Sequence, residues 1–276
     1  MVRPYTMKGH KRRKKSEEDK YDREDEGHEQ VDEEHPDGYD EDYQGQEEEA
    51  VHEMEGIPIG LSDRNLKKPG VIFVLEKASL EVAKVGKSYQ ILNSDDHTNF
   101  LKKNNKNPGD YRPDIVHQAL LSILDSPLTK AGRLRAVYVK TEKGVLFEVK
   151  PHVRLPRTYK RFSGIMLQLL QKLSITAAGK HEKLLRVIKS PVTQYLPVNS
   201  RKIGFSYSSD KLVKMRNHVA PIGDDVDLVF VVGAMAHGKI DTDYTDDFIA
   251  ISGYPMSAAR CIARICEALE DKWDIS

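Results

Sequence analysis

Two glycine-bearing loops near the C-terminal end contain the residue types best suited to holding a ligand. The first loop, residues 233–238, follows the apolar run 228–232, and the second, residues 252–257, follows the apolar run 248–251. A continuous apolar run bounded by turn residues is typical of a strand buried on both faces of a parallel sheet. Loops at the ends of such strands usually hold ligands. The sequence therefore predicts a ligand site built mainly from backbone groups.

The first loop also matches a phosphate-binding pattern. Residues 233–239 spell G-x-x-x-x-G-K, but Ile240 stands where a P-loop has the Ser or Thr that holds magnesium. Residues 241–247 continue as D-T-D-Y-T-D-D, a sequence that suits a turn and would repel a triphosphate. We therefore do not interpret the motif as a P-loop. A simpler alternative is that the glycines only make tight turns.

A basic stretch further upstream has the character of an RNA contact. It contains three arginines spaced by three and four residues, Arg154, Arg157 and Arg161. Pro156 prevents a regular helix through the first of them, so we expect a helix to start near Thr158. Arginine forks suit phosphate and guanine, and Tyr159 is suited to stacking on an unpaired base. Because no acidic residue lies between Val149 and Glu182, RNA binding is favoured over the alternative of a solvated face with salt bridges.

Arg112 and Asp114 introduce an amphipathic helix. Its apolar positions recur at helical spacing: Ile115, Val116, Ala119, Leu120, Ile123 and Leu124. Asp114 is placed to cap this helix and also to hold the Arg112 guanidinium, and the two interpretations stay open. Separately, Lys87 follows Gly86 in a turn suited to a phosphate contact, although a lone lysine is usually only solvated.

The remaining pattern indicates an α/β fold with a central parallel sheet flanked by helices. The predicted strands are residues 71–75, 184–188, 203–207, 228–232 and 248–251. Residues 134–140 and 145–150 alternate apolar and polar side chains, which predicts a β-hairpin with one solvated face. Residues 162–173 predict a core helix. The chain from Ala78 is expected to turn toward a helix or loop, and the lysine- and asparagine-rich part ending at Gly109 is expected to be loop.

Charged residues are distributed unevenly between the N-terminal part of the chain and the rest. Residues 1–56 carry 9 basic and 20 acidic side chains, a net charge of −11, so the rest of this formally neutral chain carries +11. A segment with so few apolar residues cannot offset its ordering entropy. We therefore predict a disordered acidic tail over residues 1–66 and a folded domain over residues 67–276. A basic domain fits a polyanion such as RNA, or simply a soluble surface.

Composition limits the class of protein further. No apolar run approaches the roughly 20 residues that a membrane helix needs, and we expect no membrane partner. Cys261 and Cys266 are spaced for neither a metal site nor a redox pair, so we predict buried thiols and no metal. Residues 11–15, K-R-R-K-K, form a basic cluster suited to a nuclear import signal.

The two loops, V-F-V-V-G-A-M-A-H-G-K (229–239) and A-I-S-G-Y-P-M-S-A-A (250–259), carry a family resemblance. They resemble the C-terminal signature of the SPOUT-class methyltransferases that methylate N1 of a pseudouridine in small-subunit ribosomal RNA. Residues 112–132, 153–174 and 183–192 resemble the same family in the same order, within a match that covers residues 70–275. The resemblance implies a SPOUT-type domain with a C-terminal trefoil knot, a β-hairpin insertion beside the RNA and a tight homodimer.

The resemblance also implies roles for individual residues. S-adenosyl-L-methionine is expected to be held by Phe205, Gly233, Gly238, Ile251, Ser252, Gly253, Tyr254, Pro255 and Met256. The RNA contacts are expected to come from Lys87, Arg112, Arg154, Arg157 and Arg161. Because N1 of pseudouridine keeps its proton at neutral pH, the reaction needs help in losing it. Asp114 is the catalytic candidate for that step, and His237 is the alternative.

The function implied is S-adenosylmethionine-dependent methylation of ribosomal RNA together with a role in assembling the small ribosomal subunit. Pre-ribosomal assembly factors are then the expected partners, and the nucleus and nucleolus the expected location. An alternative is a ribosome assembly factor that binds RNA without catalysis. Intact glycines in both loops favour retained cofactor binding.

Overall fold

The computed structural model of the chain describes residues 68–179, 182–241 and 243–276. The predicted acidic tail, residues 1–66, and its basic cluster at residues 11–15 lie outside these residues.

The described residues contain ten strands. They are β1 (Val71–Ala78), β2 (Val82–Val85), β3 (Ser88–Ile91), β4 (Leu134–Thr141), β5 (Leu146–Val149), β6 (Ser174–Thr176), β7 (Lys183–Ile188), β8 (Ser200–Phe205), β9 (Asp227–Gly233) and β10 (Asp247–Ile249). Eight of them form one sheet in the order β10-β8-β9-β1-β4-β5-β7-β6, and β2 pairs with β3 in a separate hairpin. The strands β10, β8, β9, β1 and β4 run parallel.

The other half of the sheet is antiparallel, because β5, β7 and β6 alternate in direction beside β4. The sheet is therefore mixed, and the prediction that residues 184–188 join a parallel sheet was wrong. The hairpin predicted over residues 134–150 is confirmed as β4 and β5. Its predicted solvated face was wrong, since all four residues of β5 are buried.

Six helices of the α type lie in the described part of the chain. They are α1 (Ser94–Lys103), α2 (Pro113–Leu124), α3 (Pro127–Lys130), α4 (Tyr159–Lys172), α5 (Met215–Val219) and α6 (Ala258–Trp273). The helix α6 begins where the Ser257 hydroxyl accepts a hydrogen bond of 3.2 Å from the amide of Arg260, and it packs against α2. Cys261 and Cys266 lie on α6, and the prediction that both are buried thiols is confirmed.

Two local predictions between residues 78 and 109 were wrong. Residues 82–91 form the β2–β3 hairpin, and residues 94–103 form α1 where a loop was expected. The helix forms because the Asn93 side chain accepts a hydrogen bond of 2.7 Å from the amide of Asp96, and because it buries His97 and Leu101. A short polar helix with only two buried side chains gives little apolar periodicity.

The apolar core lies on both faces of the sheet, and β1 divides its side chains between them. Phe73 belongs to the larger cluster under α2, α4 and α6, where its ring lies 5.7 Å from that of Phe230. Ile72 and Val74 belong to a smaller cluster on the opposite face, together with Ile240 from the loop after β9. The loop after β9 is thus tied to the sheet face as well as to the strand end.

Candidate functional site

A cavity of about 780 Å³ opens at the carboxyl ends of β8, β9 and β10. This is the edge of a parallel sheet at which ligands usually bind. The predicted site residues that line it are Arg112, Asp114, Phe205, Gly233, Gly238, Ile251, Ser252, Tyr254 and Met256. The structure therefore brings both glycine loops together with the start of α2. Gly253 and Pro255 are exposed residues of the second loop that do not line this cavity.

The first loop requires glycine at two positions. A Cβ atom on Gly233 would lie 2.7 Å from Sδ of Met235, so glycine leaves room for that side chain against the strand end. Gly238 has a φ of +116°, which L side chains rarely adopt. No helix occurs between β9 and β10 in the part of the chain that the structure describes, which agrees with rejecting the P-loop.

The second loop is fixed at its start by main-chain hydrogen bonds. The amide of Val213 donates to the carbonyl oxygen of Ala250 at 2.8 Å. The amide of Ala250 donates in turn to the carbonyl oxygen of Lys211 at 2.9 Å. The carbonyl oxygen of Ile251 accepts a hydrogen bond of 3.0 Å from the Arg264 guanidinium, so it is already engaged.

Four amides of the second loop make no hydrogen bond to a described residue. They are those of Ser252, Gly253, Met256 and Ser257, and of these residues Ser252, Met256 and Ser257 line the cavity. Because these residues are exposed or only half-buried, their donors are open to a ligand or to water.

Phe205 reaches the cavity from the end of β8. Its side chain is buried and its ring lies 5.9 Å from that of Phe230. It therefore forms an apolar wall of the cavity rather than a polar contact.

Arg112 and Asp114 form a bidentate pair on the cavity wall. The guanidinium donates two hydrogen bonds to the carboxylate, of 2.8 Å from Nε and 2.7 Å from Nη2. These bonds lower the pKa of Asp114 and raise that of Arg112. The prediction that Asp114 caps α2 was wrong, because Arg112 is the N-cap residue and no side chain caps this end. The prediction that Asp114 holds the guanidinium is confirmed.

The other four predicted RNA contacts lie outside the cavity. Lys87 is exposed in the turn between β2 and β3, where Gly86 has a φ of +63°. Arg154 and Arg157 are exposed on the segment that leads into α4, and Arg161 is exposed in the first turn of α4. The structure places these four residues on the surface and does not bring them to the cavity that the two loops line.

The expectation that the arginines lack carboxylate partners was wrong for Arg157. Its Nη2 donates to Asp125 at 3.1 Å, and Nη1 contacts the same carboxylate. Asp125 ends α2, 32 residues away along the chain.

The sequence analysis also missed His117, which fixes this basic segment. Its Nε2 lies 2.8 Å from the carbonyl oxygen of Pro156, and its ring stacks on that of Phe162 at 4.3 Å. A histidine among apolar helix positions was the only local signal.

A second cavity, of about 520 Å³, lies on the other side of the first loop. Residues 235–238 line both cavities, so His237 is exposed between the two. Glu81 organises the second cavity, because its carboxylate accepts a hydrogen bond of 3.2 Å from the Tyr111 hydroxyl and pairs with Lys106.

No helix among the described residues is long and apolar enough to cross a membrane.

Comparison with known proteins identifies the class of protein that this fold and site belong to. The description of the matching family is EMG1/NEP1 methyltransferase, and the match covers residues 73–270. The chain is 51% identical over 205 residues to the ribosomal RNA small subunit methyltransferase NEP1 of Mus musculus, covering 74% of this chain and 82% of that protein. It is 50% identical over 205 residues to the protein of the same name from Homo sapiens, with the same coverage.

The fold has a counterpart among solved structures. Archaeoglobus fulgidus Nep1 bound to S-adenosylhomocysteine matches with a TM-score of 0.61 at 23% identity, over 74% of this chain and 99% of that one. The family match and the relatives define the class of protein as a methyltransferase. The chain belongs to the EMG1/NEP1 methyltransferase family, which confirms the resemblance seen in the sequence.

Proposed function

We propose that this protein transfers a methyl group from S-adenosylmethionine to N1 of a pseudouridine in small-subunit ribosomal RNA. The observation that carries the proposal is the single cavity that joins both glycine loops to the Arg112–Asp114 pair. Family membership supports methyl transfer, and the names of the mouse and human relatives support ribosomal RNA as the substrate. The archaeal neighbour with bound S-adenosylhomocysteine supports the cofactor.

The residues of the cavity fit an adenosyl cofactor. The amides of Ser252, Met256 and Ser257 provide donors for the adenine edge and ribose, while Phe205 and Ile251 provide apolar walls. When bound, the cofactor supplies a methyl group on a cationic sulfur. The protein's task is then to hold the acceptor nitrogen at close range and in line with that group.

The proton on N1 has an acceptor in Asp114. Among the described residues that line the cavity, Asp114 is the only one with a carboxylate. Its lowered pKa makes it a weak base. A weak base suffices, because N1 becomes a stronger acid as its bond to the methyl carbon forms. The carboxylate takes the proton from N1 while the electron pair of the broken carbon–sulfur bond stays on sulfur.

The basic surface serves RNA binding in this proposal. Arg154, Arg157 and Arg161 lie on a segment that His117 holds rigid, and Lys87 adds a cation on the β2–β3 turn. Because the target base must leave its stack to enter the cavity, a hairpin or internal loop suits this surface better than a duplex.

The finer features of the family follow with the same proposal. They are a SPOUT-type trefoil knot formed by the C-terminal loops and α6, a hairpin insertion beside the RNA, and a homodimer. Exposed Tyr207, Leu212 and Tyr254 support pairing with a second copy, since their fractional exposures are 59%, 60% and 81%. The proposed function also includes a role in assembling the small ribosomal subunit, together with pre-ribosomal assembly factors, in the nucleus and nucleolus.

Calorimetric titration of the full chain tests the cofactor assignment. We expect binding of S-adenosylmethionine and none of ATP with magnesium. Binding of ATP with magnesium instead would mean that residues 233–239 are a P-loop and that the proposal is wrong.

A further inference from the structure

The side chain of Glu76 is an unusual occupant of the sheet centre. It lies on β1 directly after the apolar run 71–75 and is fully buried, with a fractional exposure of 0%. Burying a carboxylate is unfavourable unless its charge and hydrogen-bonding capacity are satisfied. The contacts of Glu76 therefore indicate what the residue does.

Those contacts lie at the start of the first loop and in the segment that follows it. The main-chain carbonyl oxygen of Glu76 accepts a hydrogen bond of 2.7 Å from the amide of Ala234, where the loop begins. Its carboxylate Oε1 accepts a hydrogen bond of 2.8 Å from the hydroxyl of Tyr244, in the segment after the loop. One residue thus holds both ends of a segment that contributes residues 235–240 to the cofactor cavity.

The charge of Glu76 is balanced from the next strand. Nζ of Lys140 on β4 lies 3.4 Å from Oε2, an atom that makes no hydrogen bond to any described residue. The hydrogen bond of the carboxylate therefore goes to Tyr244. Burial and the nearby Glu76 carboxylate raise the pKa of Tyr244, so its hydroxyl stays protonated and remains a donor.

Packing holds only part of the loop. Ala234 and Ile240 are buried and Met235 packs against the smaller core cluster, but residues 236–238 have the 780 Å³ cavity on one side and the 520 Å³ cavity on the other. A segment with space on both sides has few dispersion contacts to fix it. Its position over the cofactor cavity then depends on its anchors.

We propose that Glu76 and Tyr244 are positioning residues that hold the first loop in its ligand-binding conformation and so set the affinity for the adenosyl cofactor. The inference rests on the proposed function, because it assumes that the larger cavity takes that cofactor. It differs from a role in fold stability alone, since a folded protein with a loosened anchor would bind the cofactor more weakly.

Tyr244→Phe in the full chain tests the proposal, because it removes only the hydroxyl. We expect the Kd for S-adenosylhomocysteine, measured by calorimetry, to rise about tenfold, which corresponds to roughly 1.4 kcal/mol. The KM for the cofactor should rise similarly, while kcat at saturating cofactor and the affinity for RNA stay close to wild type.

Tyr138→Phe is the matched control. Tyr138 is a buried tyrosine of the same smaller core cluster, but its ring neighbour is Tyr195, at 5.8 Å, and it does not line the cofactor cavity. Both variants delete one tyrosine hydroxyl, and either of them can lower the melting temperature. Only Tyr244→Phe should change the Kd, because a modest loss of stability leaves nearly all molecules folded.

A second variant separates the hydrogen bond from the charge. Glu76→Gln keeps an acceptor for Tyr244 but loses the ion pair with Lys140, so we expect it to bind S-adenosylhomocysteine more tightly than Glu76→Ala. The inference is overturned if Tyr244→Phe binds S-adenosylhomocysteine as tightly as Tyr138→Phe does. If the wild-type protein binds no S-adenosylhomocysteine, the proposed function fails first, and the two failures are thereby distinguished.

Discussion

The Arg112 guanidinium and the Asp114 carboxylate are joined by two hydrogen bonds, of 2.8 and 2.7 Å, on the wall of the cavity that the two glycine loops enclose. The pair fixes the orientation of the guanidinium and lowers the pKa of the carboxyl group beside it. Charge-assisted bidentate pairs of this kind are stronger and more directional than single hydrogen bonds.

Asp114→Asn tests the role of the carboxylate in proton removal. The amide keeps the shape but cannot take the N1 proton, so we expect the single-turnover rate to fall about 100-fold, the lower end of general-base effects. The affinity for S-adenosylmethionine should change little. A variant that retains the wild-type rate would remove Asp114 from the mechanism.

The pH dependence of stability follows from the direction of the Asp114 shift. Its folded pKa lies below the ordinary value of 3.8, so the pair stabilises the fold above that value and loses its contribution as the pH falls through the folded pKa. We expect the difference in unfolding free energy between wild type and Asp114→Asn to be constant from about pH 5 to pH 8. The difference should shrink only in stronger acid, as measured by urea unfolding at each pH.

Gly238→Val tests the conformation of the first loop. A side chain at a φ of +116° is strained, and we expect a loss of about 1–3 kcal/mol of stability together with weakened cofactor binding. Gly164→Ala is the matched control, because Gly164 lies within α4 with open space around its Cβ position. That change should stabilise the protein by about 0.5–1 kcal/mol and leave cofactor binding unaltered.

Arg157 and Asp125 give opposite effects on RNA binding if the basic segment is the RNA surface. Arg157→Ala should lower the slope of log K against log salt by about 0.7, the value for one contact to single-stranded nucleic acid. Asp125→Asn should tighten binding, because it releases the guanidinium that now pairs with it. Arg216→Ala, which breaks the exposed pair with Asp271, serves as the control and should leave the slope unchanged.

The parts of the site that could be predicted depend on residues that are close together in the sequence. Each glycine loop directly follows an apolar run, so about ten residues are enough to predict a strand and its loop. Arg112 lies two residues from the carboxylate that holds it. The antiparallel direction of β7 was beyond prediction, because an apolar run specifies a strand but not its direction.

Several contacts of the first loop and the basic segment join residues that are distant in the sequence. Glu76 and Tyr244 are separated by 168 positions, and Arg157 and Asp125 by 32. Such pairs arise from the folded topology, and a single sequence does not identify the partners. A glutamate directly after the apolar run V-I-F-V-L was the only hint of the first pair.

Methyl transfer to a defined RNA tests the central claim most directly. The full chain would be incubated with S-adenosylmethionine and a small-subunit ribosomal RNA hairpin that carries either pseudouridine or uridine at one position, and the digested product analysed by mass spectrometry. We predict one added methyl group on N1 of pseudouridine and none on the uridine hairpin. Cofactor and RNA binding without any methyl transfer would contradict the account and favour an assembly factor that binds RNA without catalysis.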